Sequence, residues 1–204
     1  GKELQPYGKT FADIDYVGVK SSQFSFARLL KADPVLGVDM ASTGEVACIG
    51  DNYHEALLKS MLSVGHRIPS MDKGILISSG TSKSKVELLE ASRMLKEKGY
   101  KLYATSGTAA FMADNGIDAE ILHWPDSDKK PNVLDFIANH KIDLVINIPK
   151  NNTPRELENG HKIRRAAVDH NIPLITNARL ASAYIWSICK IGVEGLGIRH
   201  WAEY

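Results

Sequence analysis

The sequence predicts an α/β fold: a five-stranded parallel sheet with helices on both faces, Rossmann-like, preceded by a smaller α+β stretch. Three observations predict it. From residue 74 onward, short apolar runs alternate with amphipathic ones five times over. The run at 144–148, LVINI, is nearly continuous in apolar residues, as a strand covered on both faces must be. Polar residues collect just after each apolar run, at the strand ends where open α/β sheets bind ligands.

Taken in order, residues 16–20 read as a strand and 24–26 as an alternating or edge segment, with Asp33-Pro34 as a turn. Apolar positions Ala56, Leu57, Met61 and Leu62 recur at helical spacing and stop near Gly65. The polar, proline-bearing passage 68–74 predicts a boundary between a first unit, 1–70, and a second, 73–204. In the second unit the strands fall at 75–77, 102–104, 119–122, 144–148 and 174–176. The helices fall at about 84–98, 109–114, 133–139, 162–170 and 180–190, with Gly99 closing the first in the C-cap position.

With 204 residues, 44% of them hydrophobic, the chain can bury a core of one or two domains. Twenty-five basic residues stand against 24 acidic ones, which gives no whole-chain electrostatic case for nucleic acid or an anionic membrane. No apolar run approaches a membrane span, and the first residues are not a signal peptide. Cys48 and Cys189 stand alone without metal or redox spacing, so a reduced, cytoplasmic protein is expected.

The chemistry gathers around residues 101–111, KLYATSGTAAF. A strand end, a hydroxyl-and-glycine turn and a helix start follow one another there. Free N–H groups of a helix's first turn and its macrodipole favour an anion. Thr105, Ser106 and Thr108 add hydroxyls, and Gly107 lets the backbone approach. An ordinary N-cap by Ser106 or Thr108 would use the same residues. Ser78-Ser79-Gly80-Thr81, Trp124, Asn147 and Thr176-Asn177 end the other four strands, so five loops are expected on one edge. Lys83, Lys85, Arg164 and Arg165 bring cations suited to phosphate or carboxylate. Asn147 needs partners if buried, and Trp124 could wall off a ligand. The seven histidines show no metal-ligand spacing, and neither a phosphate-loop lysine motif nor a dinucleotide fingerprint occurs. A binding domain fits better than an enzyme.

The block VDMASTGEV at 38–46, preceded by FSFAR at 24–28 and ADPVLG at 32–37, resembles the end of the second ATP-grasp module of carbamoyl-phosphate synthetase large subunits. Residues from about 73 to the C-terminus resemble that family's allosteric domain, which has the methylglyoxal-synthase-like fold. The TSGT and VIN blocks support the same resemblance, which spans essentially the whole chain. It implies a parent ligase that makes carbamoyl phosphate with ATP and Mg (or Mn), for arginine and pyrimidine biosynthesis. It also implies a C-terminal piece that is not catalytic alone and has no cofactor of its own. Partners would be the rest of the large subunit, a glutaminase small subunit and, through self-association, a second copy. The effector would be a small anion, a nucleotide monophosphate or an N-acetylglutamate-like acid. By the resemblance, Lys85, Thr105, Thr108 and Asn147 match ligand-contacting positions. Trp124 stands where the N-acetylglutamate-responsive members carry tryptophan, and Lys150 where they carry asparagine, a role Asn151 or Asn152 could fill. The alternative is a methylglyoxal synthase, a lyase that eliminates phosphate. Its Gly-Gly-Asp motif does not occur here.

Overall fold

The computed structural model describes residues 14–149, 153–200 and 203. Strands β1 (Val17–Gln23) and β2 (Gly44–Gly50) pair antiparallel, with Val17 opposite Gly50 and Gln23 opposite Gly44. The expected edge strand at 24–26 is instead the start of stacked turns. The N–H of Arg28 donates to Ser25 O, that of Leu29 to Phe26 O and that of Ala32 to Leu29 O. Helix α1 (Tyr53–Ser63) starts where the Asn52 side chain accepts the Glu55 N–H, and the chain leaves it through Gly65 at φ +95°.

The alternation from residue 74 builds the parallel sheet. β3 (Gly74–Ser79), α2 (Ser82–Glu97), β4 (Lys101–Ala104), α3 (Ser106–Asp114) and β5 (Glu120–Ile121) form its first half. α4 (Val133–Ala138), β6 (Ile142–Ile148), α5 (Pro154–Asp169), β7 (Leu174–Ile175) and α6 (Ala178–Lys190) complete it. The strand order is β5-β4-β3-β6-β7, all parallel. The order reverses between β3 and β6, and a crevice must open beyond their carboxyl ends because the adjoining connections run to opposite faces.

Alternating strand residues feed two cores. Ile75, Ile77, Leu144 and Ile146 pack with Leu88, Leu95, Met112, Tyr184 and Ile185 on one face. Leu76 and Val145 pack with Val133, Ile137, Ile163 and Ala167 on the other. Leu57, Leu58 and Met61 of α1 join the first core, so the passage at 68–73 does not interrupt it. Gly74 is required where β3 passes Tyr103, because a Cβ there would lie 2.1 Å from the ring.

Helix α5 starts eight residues earlier than the pattern predicts. Pro154 occupies its first turn, the Thr153 hydroxyl caps it by accepting the Glu156 N–H while donating to the Glu156 carboxylate, and Gly160 lies inside it. Among the described residues, no helix is long and apolar enough to cross a membrane, and no three His, Cys, Asp or Glu side chains converge to hold a metal ion.

Candidate functional site

A pocket of about 120 Å³ opens at the crossover point. β3 contributes Ser78, Ser79 and the following Gly80. Thr105, Gly107 and Thr108 come from the β4–α3 turn, Asn147 from β6, and Gly160 and Arg164 from α5, with Lys85 and Trp124 at its sides. Four of the five strand ends meet here. The fifth does not. Asn177 caps α6 by accepting the Leu180 N–H at 3.0 Å, and with Thr176 it lines a second, larger cavity of about 690 Å³.

The α3 start is open toward the pocket. Thr105 is its N-cap residue but makes no side-chain cap bond; its hydroxyl instead donates to Ser78 Oγ at 3.2 Å. Thr108 is buried, and its Oγ1 accepts the Ser79 N–H at 3.0 Å while donating to Ser79 O at 3.3 Å. Its hydroxyl therefore ties α3 to the end of β3. Ser79 Oγ is itself buried and has no hydrogen-bond partner. A buried hydroxyl without a partner is costly unless something binds there. Ser106, the first residue of α3, is exposed and does not line the pocket. Lys85 reaches over from α2, and its Nζ donates to Gly107 O at 2.7 Å. Lys83 is exposed and outside the lining.

Arg164 is 3% exposed, and its Nη1 donates to Asn147 Oδ1 at 2.8 Å. Asn147 is equally buried, so each satisfies the other. Gly160 makes the room: a Cβ there would lie 2.8 Å from Arg164 Nη1. The other edge of the guanidinium is held by Asp33, with Nε to Oδ1 at 2.8 Å and Nη2 to Oδ2 at 2.5 Å. Burial pushes the Asp33 carboxyl up, but the Arg164 hydrogen bonds and charge, with the Val35 N–H, outweigh it and hold the group below its usual range.

Arg165 does not enter the pocket. Neighbouring residues on a helix lie about 100° apart, so it faces another way. Its Nη1 donates to the carbonyls of Phe26, Leu29 and Ala32, and its Nη2 pairs with Asp169. Asn151, with Lys150 and Asn152, lies outside the described residues.

The loop bearing Trp124 is fixed to α5, as the sequence did not reveal. Buried Asn159 accepts the Asp126 N–H, Arg155 pairs with the Asp126 carboxylate, and the Arg155 guanidinium lies 5.6 Å from the Trp124 ring centre. Among the described residues lining the pocket there is no aspartate or histidine. Glu156 adds a carboxylate to the lining, one oxygen of which accepts the Thr153 hydroxyl. Cations, hydroxyls and amides make up the other polar groups of the described lining.

Residues 87–176 match the MGS-like domain family. Over 199 aligned residues, 93% of this chain, it is 46% identical to the multifunctional protein URA2 of Saccharomyces cerevisiae. It is 41% identical over 94% of its length to the multifunctional protein CAD of Squalus acanthias. With the mitochondrial ammonia-dependent carbamoyl-phosphate synthase of Homo sapiens it shares 39% identity over its whole length. The chain spans 9% to 14% of the length of these relatives. A solved methylglyoxal synthase from Elizabethkingia anophelis aligns with 56% of this chain and 78% of its own, at 18% identity and a TM-score of 0.42.

Proposed function

We propose that the chain belongs with the MGS-like domains of carbamoyl-phosphate synthases, which it resembles, and that it serves such an enzyme as a regulatory region whose crossover pocket binds a small anionic effector. One observation carries the reading. The pocket brings an uncapped helix start and two cations, Lys85 and Arg164, around the buried Ser79 hydroxyl that has no protein partner. Such a site stabilises negative charge by dipole, hydrogen bond and cation together. At about 120 Å³ it is well below the roughly 300–1,000 Å³ of drug-sized pockets, so it would take an anionic head group, phosphate or carboxylate. The rest of a larger ligand would lie outward along Trp124. Thr105, Thr108 and Asn147 act through the walls they build, while Ser79, Lys85, Arg164 and the first amides of α3 would face the anion.

Carbamoyl phosphate synthesis with ATP and Mg²⁺, for arginine and pyrimidine pathways, would belong to the rest of the large subunit, with the ammonia-supplying glutaminase as a further partner. The described residues gather no metal-ligand cluster, and no step of that reaction is placed on them. Effector binding would change the synthetase by a coupling free energy, typically about 1–3 kcal/mol. A cytoplasmic setting is in keeping with the unpaired Cys48 and Cys189.

Calorimetric titration with N-acetylglutamate and, separately, with uridine monophosphate tests the reading. We expect saturable binding of one of them, weakened about tenfold or more in Lys85→Met, since a hydrogen bond to a charged group is worth about 1.5–3 kcal/mol. No binding of either, or equal affinity in the variant, would overturn it.

A further inference from the structure

Residues 24–36 form a strap fastened to two consecutive arginines of α5. Arg165 gathers three of its carbonyls, those of Phe26, Leu29 and Ala32, at 3.1, 3.1 and 3.2 Å. Arg164 holds its Asp33 carboxylate through two parallel hydrogen bonds. The strap's base is tied to the hairpin, where the Thr43 N–H donates to Gln23 O and the hydroxyls of Ser25 and Thr43 meet at 2.9 Å. Its inner side, with Phe24, Phe26, Pro34 and Val35, roofs the 690 Å³ cavity.

The two fastenings differ in kind. Arg165 lies outside the anion pocket, whereas Arg164 is one of the pocket's cations. The anion that Arg164 presently holds is supplied by the chain itself. Asp33 meets it in the side-on geometry that a carboxylate or phosphate ligand would also use. Asp33 is 40% exposed in its side chain, against 4% for Arg164, so the carboxylate can leave for water at far lower cost than the guanidinium.

We propose that Asp33 is a built-in competitor for the pocket's anion, and that an anion drawing on Arg164 loosens the strap. This rests on reading the pocket as an anion site, and it adds how occupancy is communicated. Asp33 lies outside the pocket lining, on the Nε and Nη2 edge of Arg164, while Nη1 points to Asn147 in the lining, so an anion in the pocket and Asp33 would share one guanidinium. Binding and strap closure therefore oppose each other. By linkage, whatever loosens the strap tightens the anion by the same factor. Residues 24–36 are then the element that transmits occupancy from the crossover pocket to the β1–β2 hairpin and the second cavity.

The test uses the full chain with inorganic phosphate and N-acetylglutamate as probes. Affinity is read by calorimetry, and strap opening by the rate of tryptic cleavage after the exposed Arg28 and Lys31. Asp33→Asn is expected to bind the probe about tenfold more tightly and to be cleaved faster than the wild type without any anion. In the wild type, a saturating probe is expected to speed cleavage at these two sites. Binding to Asp33→Asn but not to the wild type would support the proposal still more strongly. Equal or weaker affinity in Asp33→Asn, with strap cleavage unmoved by the probe, would overturn it and leave the anion pocket standing. Binding to neither protein would overturn the pocket reading itself, and the competitor with it.

Discussion

Replacing Thr108 by valine isolates what its hydroxyl does. The side chain is 3% exposed, and its oxygen is the acceptor for the Ser79 N–H. Valine keeps the volume and the β-branch but leaves that N–H without its partner inside the fold. An unmet buried donor costs about 1–3 kcal/mol. For a chain of 204 residues, each kcal/mol moves Tm by about 2–4 °C, so a 2 kcal/mol loss lowers Tm by roughly 4–8 °C. Thr108→Ser keeps the oxygen and loses one methyl group, about 0.8 kcal/mol, and should fall between. Circular dichroism melts of the three proteins supply the stability order, and calorimetry with the bound anion supplies the affinity order, which should be the same. The shared order follows from the hydroxyl acting through the position of Ser79. Thr108→Val melting with the wild type, or losing anion affinity at unchanged stability, would refute that reasoning. The second result would make Thr108 a direct ligand contact.

Two further predictions concern the scaffold. Gly74→Ala places a methyl group 2.1 Å from the Tyr103 ring and should cost about 1–3 kcal/mol by overpacking, seen as a lower urea midpoint at unchanged slope; an unmoved midpoint would contradict it. His66 is the pH-sensitive group of the α1 exit, because burial lowers its pKa from 6.5 to about 4. The unfolded chain therefore binds more protons than the folded one between these values. Stability should be fully present above about pH 6.5 and fall as pH drops toward 4, by up to about 3 kcal/mol. His66→Phe should flatten the urea midpoint across that window, and an equal slope in both proteins would argue against it.

The sheet was legible because its strands are short apolar runs of β-formers set between amphipathic helices, so all five strands and their order of appearance could be read locally. The helix start at 105–108 was legible for the same reason. What could not be read depends on contacts distant in sequence. Arg164 and Arg165 look equivalent as a dipeptide, yet helix geometry sends one into the pocket and the other to the strap. Gly160 carries no local mark of its role, which appears only when Arg164 Nη1 is found 2.8 Å from where its Cβ would sit. Asp33 reads as a turn residue beside Pro34, and nothing local marks it as the partner of an arginine 131 positions away. Asn159, too, hides its role, since its partner is the backbone of the Trp124 loop.

The central claim is that the crossover pocket is where an anion binds, and backbone amide shifts measured by NMR test it most directly. Titrating the labelled chain with N-acetylglutamate or uridine monophosphate should move the amides of Ser79, Gly80, Ser106 and Gly107 furthest, saturably and together. Shifts centred instead on Ile172, Leu174 and Asn177 of the second cavity, or no saturable shift with either ligand, would contradict it.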